Sequence, residues 1–257
     1  MTGEESRSWR AILAGTLRRS KMALPHAFAR RLGWNLPGAP LGSIRMGDLR
    51  NLQPVSREYG FDRGQPIDRY YIDKFLAEHA SLVRGRTLEI GDNAYTLRFG
   101  GGRVTRSDVL NVNAGVPNTT FVADLATGDG VPDAAFDCVI LTQTLHLVFD
   151  VSAALRTLHR ILKPGGALLL TVPGTISQIE QGQWRSTWYW GFTSLSLERL
   201  FAVHFPSPGI EITEFGNVLA SVAFLEGLVA EEFSQAELEY RDELYPLLLA
   251  VRATKAP

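Results

Sequence analysis

Apolar positions along the chain change rhythm at regular intervals, and the changes predict an architecture. From Leu82 onward, short apolar runs at Thr87–Ile90, Val104–Val109, Thr120–Val122, Phe136–Leu141 and Ala167–Val172 read as strands. Helical spacing fits Ile67–Ala80, Val151–Leu162 and Leu195–Val203. The middle helix is the clearest, because Val151, Leu155, Leu158, Ile161 and Leu162 form one apolar face and Asp150 can cap its first turn. Pro164-Gly165-Gly166 stops it: proline breaks the hydrogen-bond ladder and glycine accepts a positive φ. Strands alternating with crossovers predict an α/β fold with a doubly wound, mostly parallel sheet. Two late runs, Ile210–Phe215 and Leu247–Thr254, read as an antiparallel pair separated by a helix near Val218–Phe233.

The first part of the chain has a different pattern. Residues 7–31 interleave Arg7, Arg10, Arg18, Arg19, Lys21, Arg30 and Arg31 with Trp9, Ile12, Leu13, Leu17, Met22, Leu24 and Phe28. Such a basic amphipathic segment can lie weakly on a membrane surface, dock on a partner, or pack on its own domain with a solvated basic face. Gly and Pro dominate residues 33–47, which read as a linker or irregular loop. The predicted division is an N-terminal helical extension and cap over residues 1–80 and one α/β domain over 81–257.

Composition narrows the function classes. At 45% hydrophobic residues the 257-residue chain can bury a core, and a net charge of −1 gives no global case for nucleic acid. The single cysteine, Cys138, lies in an apolar run and reads as a small buried hydrophobe. No apolar run approaches the roughly 20 residues of a membrane span. The arginine-flanked patch Ala11–Leu17 fits a secretory signal poorly, so cytoplasm is the expected compartment. A homodimer is left open.

Ligands of open parallel sheets bind beyond the carboxyl ends of the strands. The predicted strands end in Glu89, Gly91 and Asp92, then Asp108, then Asp124-Leu125, then Thr142-Gln143-Thr144 with His146 following. This ordered set resembles the class I S-adenosylmethionine-dependent methyltransferases over roughly Leu82 to Val172. Phe136-Asp137-Cys138-Val139-Ile140-Leu141, Leu145-His146 and the run from Leu155 to Gly166 are similar to the small-molecule branch called type 11. Tyr59 to Tyr71, Tyr189-Trp190-Gly191-Phe192-Thr193 and Gly216-Asn217-Val218-Leu219 resemble a narrower group encoded beside glycosyltransferases and natural-product genes.

The resemblance implies a seven-stranded Rossmann-like methyltransferase sheet, S-adenosylmethionine as cofactor and a small-molecule acceptor such as a sugar, nucleoside or glycoside. It places Glu89, Gly91, Asp92 and Asn93 near the cofactor's methionine portion. Asp108, beside Val109, would bind the ribose hydroxyls or else be a turn residue. Asp124 would receive the adenine amino group, with Leu125 against the ring, or merely cap a loop. Thr142 and Gln143 would line the sulfonium end. His146 would stand at the acceptor entrance, as a base or a wall residue. Tyr70 and Arg63 are the further catalytic candidates, with Arg63 able to meet the cofactor carboxylate or to join a local salt-bridge network.

One stretch departs from the family pattern. Asn93 and Tyr95 stand where further glycines are expected, and the short linker from Tyr95 to Gly102 leaves little room for a long helix. Three tryptophans, Trp184, Trp188 and Trp190, suggest a platform for a sugar or flat ring, or the packing of a cap. No metal-ligating set, serine elbow or phosphate loop emerges. Two rival expectations remain: other chemistry on a nucleoside-like ligand in the same fold, and a non-catalytic partner module.

Overall fold

The computed structural model describes residues 43–175, 177–179, 187–205 and 209–257. The basic segment 7–31 and Trp184 lie outside them. The chain divides into two units, residues 1–50 and 51–257. In the first, the described residues form an exposed turn with a short 3-10 helix at Gly47–Arg50. The first unit ends at residue 50, and the helix Ile67–Glu78 lies in the second.

In the second unit, seven strands form one sheet: β1 (Gly85–Ile90), β2 (Val104–Asn111), β3 (Phe121–Val122), β4 (Phe136–Thr142), β5 (Leu162–Pro173), β6 (Ile210–Phe215) and β7 (Leu248–Thr254). Their order is β3-β2-β1-β4-β5-β7-β6. All neighbours are parallel except β7, which runs antiparallel to both β5 and β6. The late antiparallel pair is thus present. The strand order reverses between β1 and β4, the switch point at which such sheets bind ligands.

Period-two alternation assigns the two faces. Val139 and Leu141 of β4, Leu168 and Leu170 of β5, and Leu249 and Val251 of β7 belong to one core, shared with α2 (Val151–Ile161) and α3 (Ser194–His204). Cys138 and Ile140, Leu169, and Leu248 and Ala250 belong to the other, shared with α1 (Ile67–Glu78) and α4 (Val218–Leu225). Cys138 is fully buried, and burial pushes its thiol pKa up to about 12. The start of α2 is fixed as its sequence predicts, with Asp150 accepting from the Ala153 amide at 2.9 Å.

Three boundaries differ from the sequence pattern. Helix α2 passes directly into β5 at Leu162; the register shift between Phe136 and Cys138 absorbs Lys163-Pro164-Gly165-Gly166 as a bulge, with Gly165 at φ 73°. The helix expected through Phe233 stops after Leu225. Gly227 turns there at φ 70°, packed so tightly on Ser56 that an added Cβ would stand 2.4 Å from the Ser56 carbonyl oxygen. A 3-10 turn (Ala230–Glu232) and the short α5 (Gln235–Glu239) follow. Between β1 and β2, one π-helical turn (Thr96–Gly100) and one 3-10 turn (Gly101–Arg103) replace the long helix of related sheets.

Candidate active site

A cavity of about 720 Å³ opens at the carboxyl edge of the sheet. Each of the first five strands contributes to it: Ile90 and Gly91 from β1, Leu110 and Asn111 from β2, Asp124 and Leu125 after β3, Gln143 and Thr144 after β4, and Pro173 at the end of β5. His146, Phe149, Trp188 and Tyr189 form an aromatic wall, while Phe61, Asp68 and Arg69 close the side nearest α1.

Five predicted site residues, Gly91, Asp124, Leu125, Gln143 and His146, line this cavity. Gly91 adopts φ 97°, and a Cβ built on it would meet nothing within 4 Å, so its missing side chain leaves open space. Its own N–H and C=O are engaged, the first donating to Leu110 O at 3.1 Å and the second accepting from Asn111 Nδ2 at 3.0 Å. Gln143 is held at φ 45°, uncommon for a residue with a side chain, with its amide donating to Thr171 O at 2.9 Å. Leu125 is buried, whereas Asp124 is exposed and its Oδ1 accepts from the Ala126 amide at 2.7 Å.

Other predicted residues stand elsewhere. Asp108 and Val109 are buried inside β2 rather than at its end, because parallel pairing sets Leu88 opposite Asp108 and Ile90 opposite Leu110. Asp108 Oδ2 lies 2.6 Å from Arg86 Nε, and Oδ1 lies 3.1 Å from Arg106 Nη2, so both oxygens are spent inside the protein. Tyr70 turns toward α5, its hydroxyl 3.5 Å from Glu239 Oε1. Arg63 pairs with Glu232 at 2.6 Å in a local salt bridge. Thr142 closes β4, its carbonyl accepting from Thr144 Oγ1 at 2.8 Å.

Glu89, Asp92 and Asn93 shape the turn instead of facing the cavity. Glu89 is buried and accepts from the amides of Tyr95 at 3.2 Å and Thr96 at 2.7 Å, holding the π turn against β1. Burial raises its pKa to about 7, against the pull of those two amides toward the charged form. Asp92 Oδ1 accepts from the Ala94 amide at 2.9 Å, and Asn93 Nδ2 reaches Ser107 Oγ at 3.3 Å. The side chains that replace the usual glycines thus satisfy a turn that has no long helix to complete it.

A family model described as a methyltransferase domain matches residues 93–170. A ubiquinone/menaquinone biosynthesis C-methyltransferase UbiE of Pasteurella multocida is 43% identical over 68 residues, which are 26% of this chain and 25% of that protein. The chain spans between a quarter and a third of the length of the UbiE relatives it matches first. A polyketide synthase-nonribosomal peptide synthetase of Aspergillus clavatus is 27% identical over 176 residues, 55% of this chain and 4% of that protein. Among solved structures, an Archaeoglobus fulgidus SAM-dependent methyltransferase matches with a TM-score of 0.50 at 14% identity, over 73% of this chain and 94% of that one. The [4+2]-cyclase SpnF matches with a TM-score of 0.50 at 18% identity, over 76% and 83% of the two chains.

Residues 93–170 carry the sequence pattern of a methyltransferase domain, and the sheet around them has the fold of a solved SAM-dependent methyltransferase.

Asn111, the last residue of β2, lines the cavity, whereas Asp108 does not. It lies 20 residues after Gly91, the spacing of the nucleotide pattern, whereas Asp108 lies 17 after it. Asn111 Nδ2 bonds to Gly91 O and to Thr119 Oγ1 at 2.8 Å, leaving its carbonyl oxygen as the acceptor. The open space over Gly91 and the apolar floor of Leu110 and Leu125 fit a nucleoside cofactor.

The cavity also holds a buried imidazole. His146 is 2% exposed, Nδ1 has no hydrogen-bond partner, and the Trp188 ring centre lies 4.3 Å away. Burial lowers its pKa to about 4, so the ring is neutral at physiological pH. Trp190 turns its Nε1 to Val148 O at 3.0 Å and stacks on Phe149, so of the expected platform Trp188 alone faces the cavity among the described residues. Among the described residues no cluster of three or more His, Cys, Asp or Glu could hold a metal ion, and no helix is long and apolar enough to cross a membrane.

Proposed function

We propose that this chain transfers a methyl group from S-adenosylmethionine to a small polar metabolite: a sugar, a nucleoside or a glycosylated natural product. The observation that carries this reading is the cavity at the switch point, with glycine at the end of β1 and open space where a side chain would stand. The printed names of the bacterial relatives support methyl transfer, and that of the fungal relative supports small-molecule biosynthesis.

The cofactor, when bound, supplies an electrophilic methyl on its sulfonium. Gly91 would admit the nucleoside close to β1, Asn111 would accept from a ribose hydroxyl, and Leu125 would cover the adenine, with Asp124 at the ring edge. Gln143 and Thr144 would border the reacting centre. The protein's share of the rate is then orientation and exclusion of water.

The acceptor would enter along Phe149, Trp188 and Tyr189, whose faces suit a sugar ring or a flat ring. His146 would hold an acceptor hydroxyl through Nδ1, which has no competing partner. With a pKa of about 4 it is a weak base, so it would take the proton only as the oxygen becomes alkylated and acidic.

Calorimetric titration with S-adenosylmethionine and S-adenosylhomocysteine, followed by mass spectrometry on a sugar and nucleoside panel, tests the proposal. Absence of binding at millimolar cofactor would overturn it. Binding without methyl transfer would favour other chemistry in the same pocket, as the cyclase name of one structural neighbour illustrates for that protein.

A further inference from the structure

The sequence between Gly91 and Tyr95 leaves open how the amino-acid tail of the cofactor is held. Both backbone groups of Gly91 are engaged, Asp92 Oδ1 caps Ala94, and Asn93 reaches toward Ser107. An α-amino-carboxylate entering this end of the cavity therefore needs other partners. Two adjacent residues in the first turn of α1, Asp68 and Arg69, face it.

Their condition is unusual. Asp68 is 8% exposed and its Oδ1 has no hydrogen-bond partner. A buried carboxylate oxygen left without a donor carries its full desolvation penalty, and an ion or donor that belongs there is one of the few explanations for it. Its nearest cation, Arg69 Nη1, stands at 4.0 Å from Oδ2, beyond a good hydrogen bond. Arg69 in turn lies over the Phe61 ring at 5.6 Å and beside the Tyr95 hydroxyl, in the turn after β1. A carboxylate and a guanidinium thus stand side by side in one wall, only loosely paired with each other.

We propose that Asp68 and Arg69 form a zwitterion clamp, in which Asp68 Oδ1 receives the α-ammonium and the Arg69 guanidinium receives the α-carboxylate of the cofactor's methionine tail. The inference rests on the cofactor reading above and assigns residues to the tail. The planar fork of arginine suits a carboxylate in a way a lysine does not. Burial raises the Asp68 pKa, an effect that Arg69 opposes, and an ammonium against Oδ1 would oppose it further.

Two ligands separate the clamp from the rest of the site. S-adenosylhomocysteine carries the amino-acid tail; 5′-methylthioadenosine carries the same nucleoside thioether without it. In calorimetric titration of the full chain, Arg69→Ala and Asp68→Asn should each weaken S-adenosylhomocysteine by about tenfold or more, with 5′-methylthioadenosine unchanged within about twofold. Arg69→Lys should recover only part of the loss. Because Asp68 is buried, the more exposed Arg69 carries the test if Asp68→Asn fails to fold. Equal weakening of both ligands, or no weakening of S-adenosylhomocysteine, would overturn the clamp while the cofactor reading stands. Failure of the unaltered protein to bind either ligand would remove the cofactor reading and the clamp together.

Discussion

Arg86 on β1 holds Asp108 on β2 through a 2.6 Å ion pair, so the acid expected at the ribose is engaged inside the sheet. Arg106 takes the second carboxylate oxygen at 3.1 Å, and the Arg86 guanidinium also lies 4.8 Å above the Phe136 ring. Asp108 is 1% exposed, whereas Arg86 and Arg106 keep 23% and 58% of their side-chain surface, so the acid is the member that cannot regain solvent. Asp108→Ala should therefore lower stability by about 2–4 kcal/mol, less than a fully buried pair because both arginines reach water. Cofactor affinity of the folded variant should stay within about threefold of the unaltered chain. Urea denaturation alongside calorimetry reads both; a large affinity loss at unchanged stability would restore Asp108 to the site.

Asn111 should behave in the opposite way. Asn111→Ala removes the bonds to Gly91 O and Thr119 Oγ1 and a polar side chain from the cavity lining. We expect S-adenosylhomocysteine binding to weaken by about tenfold, with a stability loss of about 1–2 kcal/mol. Unchanged binding would show that the ribose is held elsewhere.

Gly91→Ala combines two penalties. Alanine at φ 97° is strained, at a cost of about 1–2 kcal/mol, and its Cβ projects into the space left for the ligand. The variant should fold and yet lose at least about tenfold in cofactor affinity. Thermal melting with and without S-adenosylhomocysteine checks it: a melting shift equal to that of the unaltered chain would contradict the cradle.

Glu89 and His146 should oppose one another in acid. Glu89 has a folded pKa of about 7 against an ordinary 4.5, so the native state holds more protons and stability falls as pH rises from 4.5 to 7. His146 has a folded pKa of about 4 against 6.5, so the unfolded state holds more protons and stability is lost as pH falls from 6.5 to 4. Each shift amounts to at most about 3 kcal/mol, and the two slopes nearly cancel between pH 4.5 and 6.5. Glu89→Gln should expose the His146 slope, with stability rising as pH increases. His146→Gln should expose the reverse. Urea midpoints measured at several pH values separate the two, and parallel profiles for both variants would contradict the pairing.

Much of the sheet was legible because burial on both faces imposes apolar runs that a reader can locate. Phe136–Thr142 is such a run, and alternate residues along it feed the two cores. The helix beginning at Val151 was legible for the same reason, with its cap at Asp150. The end of α4 was not, because Gly227 terminates it by packing on Ser56, a contact 171 residues distant in sequence (227 minus 56). Asp124, Leu125, Gln143 and His146 line the cavity, and their place after strands was legible in the sequence. The contacts of Tyr70 and Arg63 were not legible, because their partners, Glu239 and Glu232, come from the far end of the chain.

By itself, then, the sequence determined the strand and helix periods, the turn residues and the family pattern, since these are local properties of neighbouring side chains. Tertiary structure decided which polar residue stands at the carboxyl edge. Parallel register is set by packing between strands, and it put Asn111 beside Gly91 while leaving Asp108 three positions lower (111 minus 108), between two arginines. It also brought Asp68 and Arg69 from α1 to the same cavity, a meeting that no spacing along the chain records.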